Sequence, residues 1–282
     1  TAPDGDVGFG FAVNPKVAAS FIVRRHQEGP VGATRLRGSY GHGMKEPRFD
    51  EAFSPSTFFL GNPLLDPERV RAFDFGVEQE FWGRRLSVEA SYFDNRFRDI
   101  IVFRSDPLTF GPIELPDGRL ANFINLDRAS ARGLELIGTL QPLRKLRLIG
   151  SYTFLRSRVE EAGPTLSPEV GLPLLRRARH SGTFEVSWID ERFDVKVDGS
   201  ALGKRRDIDP IFGSRFDLTG DPFFNDGYLQ MNAAGSYRIT RRVAAFARID
   251  NLLNQDYEEV LGFPANRFQI TGGMRIRIGG DR

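Results

Sequence analysis

Apolar and polar side chains trade places at every second residue over most of this chain. Leu229, Met231, Ala233, Gly235, Tyr237 and Ile239 share one side, and Gln230, Asn232, Ser236 and Arg238 share the other. The closing segment repeats the pattern, with Phe268, Ile270, Gly272, Met274, Ile276 and Ile278 set against Gln269, Thr271, Gly273, Arg275 and Arg277. Phe73, Phe75 and Val77 alternate with Asp74 and Glu78; Phe184, Val186 and Trp188 alternate with Glu185 and Ser187. Successive strand side chains point to opposite faces, so each run reads as a strand with one apolar and one polar side. About twelve such strands are predicted, at 7–13, 17–25, 33–40, 68–81, 85–103, 121–140, 145–158, 176–190, 192–205, 228–239, 242–250 and 266–278.

Strand length and loop length narrow the class. Several runs match or exceed the ~9–11 residues with which a tilted strand crosses a bilayer, whereas soluble strands average ~5–6. Short turns at 26–32, 83–84, 141–144, 190–191 and 240–241 alternate with long loops at 41–67, 104–120, 159–175, 206–227 and 251–265. In a transmembrane antiparallel barrel all odd connections lie at one end and all even ones at the other, which produces this asymmetry. A soluble sandwich has no reason to sort its loops by length. The expectation is an all-β transmembrane barrel. Its rivals are a passive porin-like or enzymatic barrel closed between 7–13 and 266–278, and a secreted carbohydrate-binding sandwich.

Composition removes several chemistries. The 282 residues include no cysteine, so disulfides, thiolate zinc sites and cysteine nucleophiles are excluded together. Only three histidines are present, His26, His42 and His180, set in a turn, a loop and a strand start. No Ser-His-Asp arrangement is readable from them, and the chain is not read as an enzyme. A formal charge of +2 gives no nucleic-acid-binding field. No run reaches the ~20 apolar residues of a membrane helix. Thr1-Ala2-Pro3-Asp4-Gly5-Asp6 is not a basic segment leading into an apolar one, so no signal peptide is expected there.

Phenylalanine, at 25 copies, is concentrated partly in the long loops. Loop 206–227 interleaves Asp207, Asp209, Asp217, Asp221 and Asp226 with Phe212, Phe216, Phe223 and Phe224. Two readings stand open: aspartates that turn the chain while the rings pack on neighbouring loops, or a calcium-ordered, cargo-contacting loop, since hard cations take clustered carboxylates. Phe58, Phe59 and Phe110 are further candidate ligand contacts. Arg176-Arg177 and Arg205-Arg206 fall near strand ends at the long-loop side. They fit contact with lipid phosphates or an anionic cargo, or else pairing with the polar-face carboxylates Glu89, Glu135 and Glu185. Gly76 and Gly133 fall on the polar face, where they leave space against the wall. Asn251 and Asn254 are expected to turn the chain by side-chain-to-backbone bonds.

Several stretches, in order, resemble the C-terminal barrel of TonB-dependent outer-membrane receptors. Leu36-Arg37-Gly38-Ser39-Tyr40-Gly41 with Lys45-Glu46-Pro47 is similar to the family's strand and loop that precede Gly61-Asn62-Pro63-Leu64-Leu65-Asp66-Pro67-Glu68. Phe75-Gly76-Val77-Glu78, Tyr92-Phe93-Asp94-Asn95, Ala131-Arg132-Gly133-Leu134-Glu135 and Arg179-His180 follow, with Ala178 where the family usually has proline. Asp250-Asn251-Leu252-Leu253-Asn254-Gln255-Asp256-Tyr257 completes the set. The family usually ends its last strand on an aromatic; here Ile278 is followed by Gly279-Gly280-Asp281-Arg282. The resemblance spans roughly residues 15–278 and implies that residues 1–282 are the C-terminal half of a plugged barrel of about 22 strands. It implies a bacterial outer-membrane location, with the plug and TonB box lying outside this stretch. It also implies a scarce ligand such as a siderophore, corrinoid or glycan, and no cofactor beyond the calcium considered above. The implied partners are outer-membrane lipid and lipopolysaccharide, an extracellular ligand, and the TonB-ExbB-ExbD complex reached through the plug.

Overall fold

The computed structural model of the protein describes residues 13–27, 29–56, 59–104, 111–115, 117–163, 168–209, 215–217 and 219–278. The chain runs through β1 (Lys16–Arg24), β2 (Val31–Lys45), a short helix α1 (Phe49–Phe53), β3 (Glu68–Phe81) and β4 (Leu86–Phe103). It continues through β5 (Ile113–Glu114), β6 (Leu120–Ala121), β7 (Phe123–Leu143), β8 (Leu146–Glu161), β9 (His180–Ile189) and β10 (Phe193–Leu202). The remainder comprises β11 (Arg205–Arg206), β12 (Phe224–Asn225), β13 (Tyr228–Arg238), β14 (Val243–Asp250), β15 (Glu258–Val260), β16 (Phe263–Pro264) and β17 (Gln269–Ile276).

Eleven strands form one antiparallel sheet in the order β1-β2-β3-β4-β7-β8-β9-β10-β13-β14-β17, so every long strand pairs with its neighbours along the chain. The pairs β5/β6, β11/β12 and β15/β16 are small hairpins inside the long connections. Connections 46–67, 104–122, 162–179, 203–227 and 251–268 all leave one end of the sheet, and the short ones 25–30, 82–85, 144–145, 190–192 and 239–242 all leave the other. The expected sorting of loops is therefore realised. The sheet is open among the described residues, with β1 and β17 as its two edges.

Boundaries shift for local reasons. The run expected at 33–40 extends over Val31–Lys45, because Gly41 to Lys45 pair in register with Ala72 to Glu68. The run expected at 176–190 begins only at His180, since Arg176 adopts a left-handed φ of 56° in a turn. The run expected at 192–205 stops at Leu202, and Arg205 and Arg206 belong to a separate hairpin. Residues 266–278 shorten to Gln269–Ile276, and the strand expected at 7–13 lies outside the described residues save Val13.

The two faces differ chemically. On one, Ser39 donates to Asp74 at 2.5 Å, Lys196 lies 3.3 Å from Glu185 and 3.2 Å from Asp198, and Asn232 donates to Asp198 at 3.1 Å. Arg37 reaches across Gly76 to Glu89 and Ser91. A Cβ at Gly76 would lie 2.7 Å from Ser91 Oγ and 3.0 Å from Arg37 Nε. At Gly133 it would lie 1.9 Å from the Phe154 carbonyl and 2.9 Å from the Phe93 ring. The space is thus taken by neighbouring side chains at Gly76, and by the β8 backbone together with the Phe93 ring at Gly133. Opposite-charge and hydroxyl pairs across strands contribute roughly 0.2–1 kcal/mol each.

The other face carries Phe73, Phe75, Leu134 and Leu136, exposed by 44, 45, 48 and 44%. No second sheet packs on it among the described residues, which removes the sandwich reading. Monomers in water rarely expose an apolar surface so continuous.

Candidate functional site

The alternation reverses near the long-loop end of β4. Asp99 has φ 59°, and its carbonyl accepts from Asn125 Nδ2 at 2.7 Å. Beyond it, Ile100 and Val102 join Phe97 against the buried cluster of Ile113, Ile124, Leu126, Ala129 and Val159. Apolar side chains that would otherwise alternate between faces thereby collect on one, forming the floor of a cavity of about 430 Å³. Its remaining lining includes Lys45, Arg69, Arg177, Arg206 and Arg215, against the carboxylates Glu68 and Glu169. Lys45, Arg177, Arg206 and Arg215 against two anions make the cavity electropositive over an apolar base. The register of β3 sets Arg69 in the row of Phe73 and Phe75.

Three long loops are fastened around this cavity by buried charge. Arg206 donates to Glu169 Oε2 at 2.5 Å, and its guanidinium lies 5.2 Å from the centre of the Phe216 ring. Arg215 stands 3.3 Å from Glu169 Oε1 and donates from Nε to the Phe103 carbonyl at 3.0 Å. Burial opposes ionisation of Glu169, but the hydrogen bond from Arg206 and the charges of Arg215 and Arg206 outweigh it and hold the carboxyl below its ordinary range. Burial also lowers the Arg215 guanidinium from its usual value. Nε and Nη2 of Arg206 are buried and make no hydrogen bond among the described residues. Buried donors left in that state are uncommon in proteins and mark a site that a ligand or water can complete.

Arg205 is the second fastener. It donates to the carbonyls of Glu258 at 2.8 Å, Glu259 at 2.6 Å and Asp226 at 3.2 Å, and lies over the Tyr228 ring. Asp207 is the third. It accepts from Arg176 Nε at 2.8 Å, and from the backbone N–H groups of Ile208 at 2.9 Å and Leu261 at 3.0 Å. Burial works against its ionisation, yet these bonds, that from Arg176 above all, keep its carboxyl below the usual value.

The sequence candidates therefore separate. Arg177 and Arg206 reach the cavity, while Arg205, Arg206 and Asp207 are buried within the loop layer. Lipid contact at Arg205 and Arg206 is thereby corrected, because neither side chain reaches a headgroup. Their partners are loop groups rather than Glu89, Glu135 or Glu185; Glu89 pairs with Arg37, and Glu185 with Lys196. Phe59 packs on Phe103 at 5.5 Å between centroids, and Phe103 on Phe123 at 5.6 Å. Phe216 lies against Arg206, Phe223 is half-buried, and Phe224 lies under Lys204 at 5.3 Å. Phe58, Phe110 and Phe212 fall outside the described residues.

The five aspartates do not converge on a cation. Among the described residues no three acidic or histidine side chains gather at a metal-binding distance. Asp207 is committed to Arg176 and two backbone N–H groups, whereas Asp217 closes a local turn by accepting from the N–H groups of Thr219 and Asp221, both at 2.9 Å. Asp226 stands 3.9 Å from Lys204, and Asp221 belongs to the Asp217 turn, where its carboxylate accepts from Thr219 Oγ1 at 3.3 Å. Glu169 and Arg215 escaped the sequence reading, since each stands alone in a polar loop and meets its partners only through folding.

Two family signatures acquire structural roles. Asn251, with φ 51°, donates from Nδ2 to the carbonyls of Gln255 at 2.9 Å and Asn266 at 3.0 Å. Asn254 Oδ1 accepts from Phe268 N–H at 3.1 Å, so the turn expected of this pair is present. In the Gly61-Asn62-Pro63 segment, buried Asn62 donates to the Phe123 carbonyl at 3.1 Å and Asn122 Oδ1 accepts from Leu60 N–H at 2.8 Å.

Comparison with known proteins agrees with this architecture. Residues 2–252 match the family model for the TonB dependent receptor-like β-barrel. Vitamin B12 transporters BtuB of Vibrio vulnificus and Vibrio cholerae are 23% and 24% identical over 230 residues, 81% and 82% of this chain. The chain spans about a third of their length, 32% in each case. The ferric-catecholate import receptor Fiu of E. coli K12, in its closed form, superposes with a TM-score of 0.67 at 16% identity, over 93% of this chain and 34% of Fiu. A variant of the ferric enterobactin receptor PfeA of Pseudomonas aeruginosa gives 0.65 at 15% identity, over 93% and 40%. With its sheet order, sorted loops and family match over most of its residues, this chain belongs to the TonB-dependent receptor β-barrel family.

Proposed function

We propose that these residues form part of the wall and the ligand-capturing loop layer of an outer-membrane receptor for an anionic, partly aromatic cargo of the ferric-siderophore class. The electropositive cavity over an apolar floor carries this reading. Arg206, Arg215 and Arg177 offer guanidinium donors to an anion, while Phe97, Ile100 and Val102 offer a dry surface to rings. A corrinoid or glycan needs fewer fixed cations. In this reading further strands pair with β1 and β17, because each unsatisfied backbone group facing lipid costs several kcal/mol. The plug of the whole receptor then releases cargo when TonB, driven through ExbB and ExbD, pulls on it.

The test is ligand binding to the whole receptor in detergent, read by tryptophan quenching with ferric enterobactin and with cyanocobalamin. The expected result is saturable binding of the ferric catecholate, weakened about tenfold or more by Arg177→Gln, which removes one charged donor. A preference for cyanocobalamin overturns the cargo assignment. Saturable uptake into liposomes by residues 1–282 alone overturns the part-of-a-barrel reading.

A further inference from the structure

The polar face carries an unbalanced charge at the short-loop end, far from the loop cavity. Arg238 N–H donates to the Arg192 carbonyl at 2.7 Å, and Arg277 N–H donates to the Arg242 carbonyl at 2.9 Å, so arginine faces arginine across two strand pairs. Register sets all four on the side of Asp194 and Ser236. Arg147, opposite Ser187, and Arg275, opposite Ala244, join them. The Arg275 guanidinium lies 5.9 Å from the centre of the Phe246 ring, on that same side. All six are exposed, and none makes an ion pair among the described residues.

Acidic groups nearby do not balance them. Asp190 is taken by Lys145 at 2.7 Å, and Asp194 accepts from Ser236 Oγ at 3.3 Å. Counting Asp194 and Glu191 against the six arginines still leaves four positive charges. Further along this face cations are matched: Arg248 meets Asp250 at 2.7 Å, Arg35 meets Glu78 at 3.6 Å, and Lys196 meets Glu185 and Asp198. Like charges directly opposite one another destabilise a sheet. An imbalance built into the wall therefore calls for a resident counter-charge, because a ligand in transit offsets it only while present. Lipid cannot supply it, since on the membrane reading above this face looks into the barrel and the apolar rows look out. The chain spans 32% of the length of its BtuB relatives, so the greater part of such a receptor lies outside residues 1–282 and can cover the inner wall. Planar guanidinium forks in close array match carboxylates, which they bind through two parallel bonds.

We infer that this arginine cluster seats an acidic segment of the receptor's own polypeptide, one outside residues 1–282, against the short-loop end of β10, β13, β14 and β17. The inference rests on the membrane reading. Its test uses the whole receptor in detergent, with Arg238→Lys and Arg277→Lys made separately. A water-soluble carbodiimide joins the introduced amine to any carboxylate it touches, and peptide mass spectrometry identifies the partner. Lys145 and Asp190, already 2.7 Å apart, supply the internal standard. Both variants are expected to couple to aspartate or glutamate outside residues 1–282 of the same polypeptide. Coupling only to Asp194 or Glu191, to a separate protein, or to nothing while the Lys145–Asp190 product forms, overturns the site. The triple variant Arg238→Gln, Arg242→Gln, Arg277→Gln is expected to raise amide exchange in the coupled segment about tenfold or more, several charge-assisted bonds being lost. Unchanged exchange there also overturns it. Either failure in a receptor that keeps heat-modifiable gel migration overturns this inference alone, whereas a receptor that forms no barrel in detergent overturns the membrane reading with it.

Discussion

Arg206 donates to Glu169 at 2.5 Å with 0% and 1% of their side-chain surfaces exposed. Arg215 shares the same carboxylate from 3.3 Å. One anion thus holds two buried cations on the 203–227 connection against the 162–179 connection. Removing it strands both guanidinium groups, and a broken buried pair costs roughly 3–5 kcal/mol. Glu169→Gln is expected to lose protection of the amides of residues 203–209 in hydrogen exchange, while the amides of β7 and β8 in mid-sheet keep theirs. Unchanged exchange at 203–209 would show that the pair holds nothing in place.

The same chemistry sets a pH window. Glu169 and Asp207 have carboxyls lowered in the folded state, so their contribution to the loop layer is complete above the unfolded carboxylate range, about 4. It is lost as pH falls through the depressed folded values. Exchange in 203–209 and 258–262, corrected for intrinsic rate, should be flat from pH 7 to 5 and rise only below about pH 4. A rise already at pH 6 requires a different titrating group.

Asp207→Asn isolates the link between the second pair of loops. The amide keeps one acceptor, yet it loses the charge that Arg176 meets at 2.8 Å, and one of the two oxygens serving Ile208 and Leu261 becomes a donor. A loss of about 1–3 kcal/mol is expected for the 251–268 connection. Protease cutting within 258–262 reads this, and equal cutting of variant and parent contradicts it.

Sequence patterning reached the sheet but not the site, for a physical reason. A strand's alternation is written in residues two apart, so faces, order and loop sorting were readable along the chain, as Leu229 to Ile239 illustrate. The binding layer is instead built from residues distant in sequence. Glu169 meets Arg206 and Arg215 only because two connections converge, and neither carries a periodic signal. Arg205 and Arg206 stand out as a pair in the sequence, but Arg205 is buried against carbonyls at Glu258 and Glu259 from one connection and Arg206 against Glu169 from another. Asp99 shows the limit most directly: one left-handed residue reverses the faces, and its neighbours Arg98 and Ile100 do not announce it.

Glycine positions supply a graded test of the wall. At Gly133 an added methyl would stand 1.9 Å from a backbone carbonyl on β8, and backbone cannot swing aside as a side chain does. At Gly138 on the same strand nothing lies within 4 Å of the added carbon. Gly133→Ala is expected to cost about 1–3 kcal/mol through overpacking and reduce the yield of heat-modifiable barrel, while Gly138→Ala stays near the parent. Equal yields for the two variants would mean that strand separation adjusts freely here.

Tryptophan reports which face meets lipid. Trp188 lies on β9 with Phe184 and Val186, opposite Val195 and Leu146, and so shares the apolar face. Trp82 sits in the short turn after β3 and is 56% exposed. In a whole receptor whose tryptophans outside these residues are changed to phenylalanine, Trp82→Phe leaves Trp188 fluorescence. That emission should be strongly quenched by brominated acyl chains and little by aqueous iodide, since an acyl-chain environment excludes the ion. With Trp188→Phe, the order of the two quenchers should reverse. The paired design matters because poor insertion would expose both indoles to iodide alike, whereas an inverted sheet would shield Trp188 from lipid while the barrel remained folded. Only the apolar-outward arrangement gives opposite responses from two residues of one chain.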